Sequence, residues 1–269
     1  MRYTMNRIDS LFTEYRKQGK KALVLYVTAG DPDIQFTEEL INTIINAGAD
    51  IIEIGVPFSD PMADGPTIQA ASERALKNDI SLSDILAMVK RLRGSQPDIP
   101  LVLFSYFNPV LQYGVDKLAA DSAETGIDGW LIVDLGDAEE DEIIPALSEQ
   151  NLHKITLLAP TSDSNRMKKL LNKAKGFVYY ITVTGVTGAR TELPQDLAEH
   201  LEEVASCSDT PLVAGFGVST PEMARRVGEH TDGVVVGSKL VQTVAEAPDR
   251  QTALKNTSEL VESLAEAIH

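Results

Sequence analysis

The sequence has little of what disulfide-linked, metal-binding or membrane-spanning proteins need. Its 269 residues include a single cysteine, Cys207, so no internal disulfide can form, which is typical of proteins in the reducing cytoplasm. The four histidines are scattered, without cysteine or acidic neighbours at ligand spacing, and we expect no metal site. No apolar run approaches the roughly 18 residues of a membrane span, and the N-terminus lacks the apolar core of a signal peptide. We therefore expect a cytoplasmic protein.

Basic residues are also scarce. The chain has 24 lysines and arginines against 40 aspartates and glutamates, which gives a formal net charge of −16. Such a surface repels nucleic acid and anionic lipid, and no basic stripe interrupts it, so we expect neither as a partner. A phosphorylated small molecule remains compatible with this charge, because backbone N–H groups at helix N-termini bind phosphate without cationic side chains.

What the sequence does contain is a regular alternation of strands and helices. Eight short apolar runs rich in β-branched residues are each followed by a segment with helical pattern. The runs are 22–28, 50–55, 101–106, 129–135, 153–159, 177–183, 211–216 and 233–237. This alternation predicts a parallel sheet with both faces covered, and eight such units fit an α/β protein of the (β/α)₈ barrel class. An open, doubly wound sheet is the alternative.

Two further features concern the organisation of the chain. Residues 7–19 have the pattern of an extra N-terminal helix before the first strand, placed to close the lower end of a barrel. No linker, low-complexity tract or charge block divides the sequence, so we expect residues 1–269 to form a single barrel domain.

The most informative residue is Glu53, which lies in the apolar run 51–55. Because side chains alternate along a strand, Ile51, Glu53 and Gly55 share one face, and Ile52 and Ile54 share the other. The β-branched face is expected to pack against the outer helices, so Glu53 points into the barrel near the carboxyl end of its strand. Burying a carboxylate without a partner is costly. A structural ion pair is the alternative, but the predicted strands offer few basic partners, and we interpret Glu53 as a functional residue.

The loop that follows carries two more carboxylates, Asp60 and Asp64. Asp-Pro and Asp-Gly are common turn formers, so either residue fits a local turn. The spacing from Glu53 does not choose between them.

Glycine-containing turns follow the last three predicted strands, at 184–190, 215–219 and 237–240. Glycine lets the backbone approach a ligand closely, and exposed N–H groups there bind anions. A phosphate site after the seventh and eighth strands recurs in barrel enzymes. The turns therefore predict a phosphate site near Gly217, Gly237 and Ser238.

Taken together, these residues resemble the tryptophan synthase alpha subunit family along essentially the whole chain. The most specific segment is EIGVPFSDPMADGPTIQ (53–69), supported by TAGDP (28–32), FNPVLQYG (107–114), TGVTGAR (184–190) and GFGVS (215–219). The resemblance implies a (β/α)₈ barrel that splits indole-3-glycerol phosphate into indole and glyceraldehyde 3-phosphate. It also implies an αββα complex in which the beta subunit uses pyridoxal phosphate, with no cofactor in this chain.

The resemblance assigns roles to individual residues. Glu53 becomes the acid/base group, Asp64 rather than Asp60 its partner at the indole ring, and Tyr179 a tyrosine near the substrate. The remaining implied substrate-binding residues lie in the indole pocket or on the phosphate-contacting turns. They are Tyr26, Tyr106, Thr187, Gly188, Phe216, Gly217, Gly237 and Ser238.

One segment departs from the family pattern. After the fourth strand the family commonly has prolines on either side of an aspartate, and this chain has Val133 and Gly136 there. The family places this loop near the beta-subunit contact, so the departure concerns docking rather than catalysis. A free-standing lyase, a subunit that mainly activates its partner, and another phosphate-binding barrel such as a sugar-phosphate isomerase are the alternatives. Retention of Glu53 and Asp64 and the 53–69 segment count against the last two.

Overall fold

A computed structural model describes residues 5–160, 162, 164–181, 195–215 and 217–269. Within these ranges nine strands form one sheet, and every paired strand is parallel to its neighbour. The strands are β1 (Ala22–Thr28), β2 (Ile51–Gly55), β3 (Leu101–Ser105), β4 (Gly129–Ile132), β5 (His153–Lys154), β6 (Thr156–Leu158), β7 (Val178–Ile181), β8 (Leu212–Gly215) and β9 (Gly233–Val236).

Helices separate most of these strands and surround the sheet. Those of the described ranges are α1 (Arg7–Gln18), α2 (Ile34–Asn46), α3 (Pro66–Leu76), α4 (Leu82–Ser95), α5 (Phe107–Tyr113), α6 (Val115–Thr125), α7 (Asp137–Glu149), α8 (Ser164–Lys173), α9 (Gln195–Ser206), α10 (Pro221–Glu229), α11 (Ser238–Ala245) and α12 (Arg250–Ile268). None of them combines the length and the apolar character that a membrane crossing requires.

The sheet is a nearly closed barrel, which confirms the predicted fold class. Its strand order is β5-β4-β3-β2-β1-β9-β8-β7-β6, so the two ends of the sheet are β5 and β6. These two strands are the two halves of the fifth predicted run, separated by Ile155 alone. The division arises because β5 pairs with β4 on one side, whereas β6 pairs with β7 on the other. The fifth predicted strand is thus two strands in the structure. Because its two halves pair with different neighbours, the segment connects the two edges of the sheet.

The alternation expected in β2 is confirmed. Ile52 and Ile54 belong to the outer core between sheet and helices, whereas Ile51 belongs to a separate cluster inside the barrel. Glu53 lies on the same inward face as Ile51 and is fully buried.

The predicted N-terminal helix closes one end of the barrel. Ile8 and Phe12 of α1 are buried among the apolar residues inside the barrel, and the Phe12 ring lies 6.0 Å from that of Phe177. Residue Asn6 caps the helix and also donates from its side chain to two backbone carbonyls, those of Asp128 and Asn151.

Three aspartates that immediately precede strands reinforce this closed end. Asp50, Asp128 and Asp232 each accept a hydrogen bond from the backbone N–H of a residue in the neighbouring strand, at 2.7, 2.9 and 2.9 Å. Each is also bound by a side chain of α1. The three α1 side chains, in the same order, are Tyr15, Arg7 and Arg16. Hydrogen bonds to charged groups each contribute about 1.5–3 kcal/mol, so α1 and the strand starts stabilise one another.

Candidate active site

The site is built at the opposite end, where the parallel strands terminate. Glu53 of β2 stands in register with Tyr26 of β1 and Val102 of β3, so its carboxyl group lies between two inward-facing neighbours. Neither carboxyl oxygen has a hydrogen-bond partner among the described residues, and burial raises the pKa of Glu53 from 4.5 to about 8. Burial is the cause of this shift. Glu53 is therefore protonated at neutral pH and can donate a proton.

Two tyrosines share the electrostatic environment of Glu53. Burial is the main cause that raises the pKa of Tyr26 and of Tyr179, and the carboxylates of Glu53 and Asp64 raise both further. The Tyr26 ring also packs edge-on against Phe104 at 5.1 Å, and its hydroxyl accepts a hydrogen bond from Thr28 at 3.4 Å. The fold thus brings Glu53, Asp64, Tyr26 and Tyr179 together.

The two loop aspartates have different surroundings. Asp60 is exposed, and its carboxylate accepts a hydrogen bond from the adjacent Ser59. Asp64 is half-buried, and burial raises its pKa, opposed by a hydrogen bond from the Tyr106 hydroxyl. Asp64 also lies within the electrostatic reach of the inward-facing Tyr26 and Tyr179.

Tyr106 has a second role that the sequence did not reveal. Its hydroxyl accepts a hydrogen bond from the backbone N–H of Ala63 at 2.9 Å, and its ring lies 5.2 Å from that of Phe58. The side chain therefore anchors the acidic loop at both ends of the segment that contains Asp60. Burial is the main cause that raises the pKa of Tyr106 to about 12, so its hydroxyl keeps its proton.

Two strand glycines make room for the tyrosine hydroxyls. A Cβ on Gly55 would lie 2.1 Å from the Tyr26 hydroxyl oxygen, and one on Gly215 would lie 2.8 Å from that of Tyr179. Any side chain at either position would displace the phenol. A glycine inside a strand signals such close approach, so these two positions were detectable in the sequence, although Gly55 was noted there only for its orientation.

The predicted phosphate residues lie only partly within the described structure. Gly217 follows β8 with a φ of +65°, a left-handed conformation that favours glycine. Gly237 and Ser238 follow β9, where Gly237 precedes the first turn of α11 and adjoins Tyr26. All three lie just beyond the carboxyl ends of their strands, and Glu53 lies shortly before the carboxyl end of β2. Thr187, Gly188 and Phe216 lie outside the described residues.

The described residues include no group of three or more histidine, cysteine, aspartate or glutamate side chains that could hold a metal ion. The titratable groups that the described residues bring together at this end of the barrel are carboxyl and phenol groups. The fold and these groups are those of a (β/α)₈ barrel with titratable residues near the carboxyl ends of its strands, the end at which barrel enzymes place their active sites.

Comparison with known proteins identifies the family. A sequence model of the tryptophan synthase alpha chain matches residues 12–269. A protein of that name from Caldanaerobacter subterraneus subsp. tengcongensis is 47% identical over 98% of this chain and 100% of its own length. Another, from Geobacter sulfurreducens, is 48% identical over 88% of this chain and 90% of its own. The crystal structure of tryptophan synthase subunit alpha from Legionella pneumophila str. Paris has a TM-score of 0.91 at 38% identity, covering 98% of this chain and 99% of that chain.

The chain belongs to the tryptophan synthase alpha chain family. The lyase reaction expected from the resemblance, cleavage of indole-3-glycerol phosphate in tryptophan biosynthesis, is the reaction of this family.

The raised pKa of Glu53 makes stability depend on pH. Between pH 4.5 and about 8 the folded chain holds a proton that the unfolded chain has lost, so stability falls as the pH rises through this window, by on the order of 5 kcal/mol in total. Glu53→Gln removes this titration. We expect the variant to unfold at nearly the wild-type temperature at pH 5 and several degrees above it at pH 9.

Thermal unfolding across this pH range measures the effect, and Glu73→Gln, at an exposed position of α3, is the matched control. A stability difference for Glu53→Gln that stays constant from pH 5 to pH 9 would contradict the raised pKa.

Proposed function

We propose that Glu53 is the single acid/base group of the cleavage. Glu53 is completely buried near the carboxyl end of a barrel strand, without a hydrogen-bond partner in the described part of the chain, and this observation carries the proposal. Breaking the bond between indole C3 and the glycerol chain requires a proton on C3, which Glu53 donates. The resulting carboxylate then removes the proton of the hydroxyl beside the breaking bond. The bond's electron pair returns to the ring, and glyceraldehyde 3-phosphate leaves as the aldehyde.

Asp64 is proposed as the group that stabilises the protonated ring. A carboxylate beside the indole N–H accepts its hydrogen bond and favours the positive charge that develops when C3 is protonated. Two carboxyl groups in different environments can divide these tasks, one neutral and one charged. The full burial of Glu53 and the half-burial of Asp64 support this division.

The rest of the pocket is proposed to orient the substrate. Tyr26, Tyr106 and Phe216 line the indole ring, and Tyr179 faces the reacting end. Backbone N–H groups after the late strands bind the phosphate, as they do in other barrels. The proposed phosphate residues are Thr187, Gly188, Gly217, Gly237 and Ser238.

A second part of the proposal concerns the partner subunit and the cellular location of this chain. We propose that residues 1–269 act as one barrel domain, without a cofactor, in the cytoplasm, within an αββα complex whose beta subunits use pyridoxal phosphate. The family implies a beta-subunit partner. Met62 in the acidic loop and Leu111 on α5 are large apolar side chains that are 87% and 48% exposed, and they support a docking surface near the active site.

The loop that carries Val133 and Gly136 keeps an ordered connection to this surface. Asp134 accepts a hydrogen bond from the backbone N–H of Phe107 at 2.7 Å, at the start of α5. The replacement of the usual prolines therefore leaves a link between the two segments, and we propose that docking uses both.

Glu53→Gln tests the acid/base assignment directly. An amide cannot deliver and then accept the proton, so indole release from indole-3-glycerol phosphate should fall by at least about a thousandfold. A steady-state assay of the full chain measures this, with circular dichroism as the control for folding. Turnover within tenfold of wild type would refute the assignment.

Asp64→Asn compared with Asp60→Asn tests the choice of aspartate. Removing the charge at the indole ring should lower kcat by about 100-fold or more, as removing one preorganised polar group does in other enzymes. Replacing the exposed Asp60 should lower the kcat of the isolated chain by less than tenfold. The reverse order would mean that Asp60 is the catalytic partner.

Indole release with and without a beta subunit from a family member separates a subunit from a free-standing lyase. Activation of at least tenfold is expected for a subunit, because docking orders the loops beside the site. Met62→Glu should reduce the activation, whereas Met5→Glu, another exposed methionine, should leave it intact. Full activity of the isolated chain, unchanged by the beta subunit, would favour the free-standing enzyme.

A further inference from the structure

The acidic loop between β2 and α3 has no regular secondary structure, yet its position determines where the carboxylate of Asp64 points. Much of the loop is exposed, including Ser59, Asp60 and Met62. Packing alone therefore does little to fix its conformation, and its orientation depends on the hydrogen bonds that reach it from the rest of the barrel.

One of these hydrogen-bonding groups is the side chain of Gln69, in the first turns of α3. Its Nε2 donates to the backbone carbonyl of Asp64 at 2.8 Å and to that of Pro61 at 3.5 Å. The backbone of Gln69 is itself held by the helix, because its N–H donates to the carbonyl of Gly65 at 3.0 Å. A half-buried carboxamide on a rigid element thus bridges two carbonyls of the loop.

The hydrogen bonds from Gln69 and Tyr106 fall on either side of the functional carboxylate. Tyr106 binds the N–H of Ala63, just before Asp64, and Gln69 binds the carbonyl of Asp64 itself. Together they restrict the backbone torsions of Asp64 and so the direction of its side chain. The Tyr106 hydroxyl also reaches the Asp64 carboxylate directly, whereas Gln69 Nε2 donates to backbone carbonyls.

We propose that Gln69 is a positioning residue that acts on the reaction through Asp64. This inference rests on the proposed function, because it takes Asp64 as the carboxylate that stabilises the indole ring. Without the amide donor, the loop loses its link to α3 and Asp64 samples orientations that are unproductive. A displacement of about 1 Å in a catalytic group lowers the rate by up to about 100-fold.

Gln69→Leu removes the donor and keeps a side chain of similar size. We expect kcat for indole release to fall 10- to 100-fold while KM changes less than threefold, because the proposed binding groups are untouched. Gln251→Leu, at an exposed position of α12, is the matched control and should behave as wild type. Gln69→Glu is isosteric and has no N–H to donate, so it provides a second variant should Gln69→Leu fold poorly, and its kcat should fall at least as far.

A double-mutant cycle separates positioning from a general structural effect. If Gln69 acts through Asp64, then Gln69→Leu should lower kcat by no more than about twofold in an Asp64→Asn background, because contacting residues of one unit are non-additive. A further tenfold loss in that background would show independent action and overturn the inference. So would a kcat for both Gln69 variants within twofold of wild type.

The cycle also distinguishes a failure of the role proposed for Asp64 from a failure of the role proposed for Gln69. Wild-type turnover by Asp64→Asn would overturn the role of Asp64, and this inference with it. If Asp64→Asn has impaired turnover while Gln69→Leu and Gln69→Glu turn over normally, the positioning role alone is overturned and the proposed function stands.

Discussion

A carboxyl group held out of water without a hydrogen bond is the constraint on which the site depends. Glu53 is fully buried, and neither of its oxygens has a partner among the described residues. An isolated carboxylate in such surroundings is several kcal/mol less stable than in water, so the group takes up a proton instead. The protonated acid that the proposed chemistry needs at neutral pH is thus a direct product of burial, and the barrel must be stable enough to impose it.

The other end of the barrel contributes to that stability, and there the buried charges are paired. Asp128 is 3% exposed, yet its carboxylate accepts from Arg7, Arg93 and the backbone N–H of Leu101, all at 2.9 Å. Asp50 has an equivalent place before β2, where it meets Tyr15 and His269. These hydrogen-bonded carboxylates hold α1 and His269 against the amino ends of the strands. The two ends therefore place the same functional group in opposite environments: the aspartates that precede the strands are paired, whereas Glu53 has no hydrogen-bond partner among the described residues.

Much of this arrangement was predictable from the sequence, because it follows from short-range patterns. Alternation in the 51–55 run placed Ile52 and Ile54 on the helix side and Glu53 inside, and both placements are confirmed. Repeated strand–helix units predicted the barrel. The break at Ile155 was not predictable, because it depends on which neighbouring strand each half of the segment meets, and that is decided by closure of the sheet. The bonds from Asp50 and Asp128 to α1 likewise join residues far apart in sequence.

Local sequence patterns do not distinguish the two loop aspartates. Asp60 and Asp64 have the same chemistry and lie in similar turn contexts, so no periodicity distinguishes them. What separates them is burial: Asp60 faces water beside Ser59, whereas Asp64 is half-buried and meets Tyr106. Tyr106 directly follows β3, which lies next to β2 in the sheet, and it is more than 40 residues later in the sequence than the loop. A contact with the segment that follows a neighbouring strand, rather than the loop's own sequence, therefore separates the surroundings of the two carboxylates.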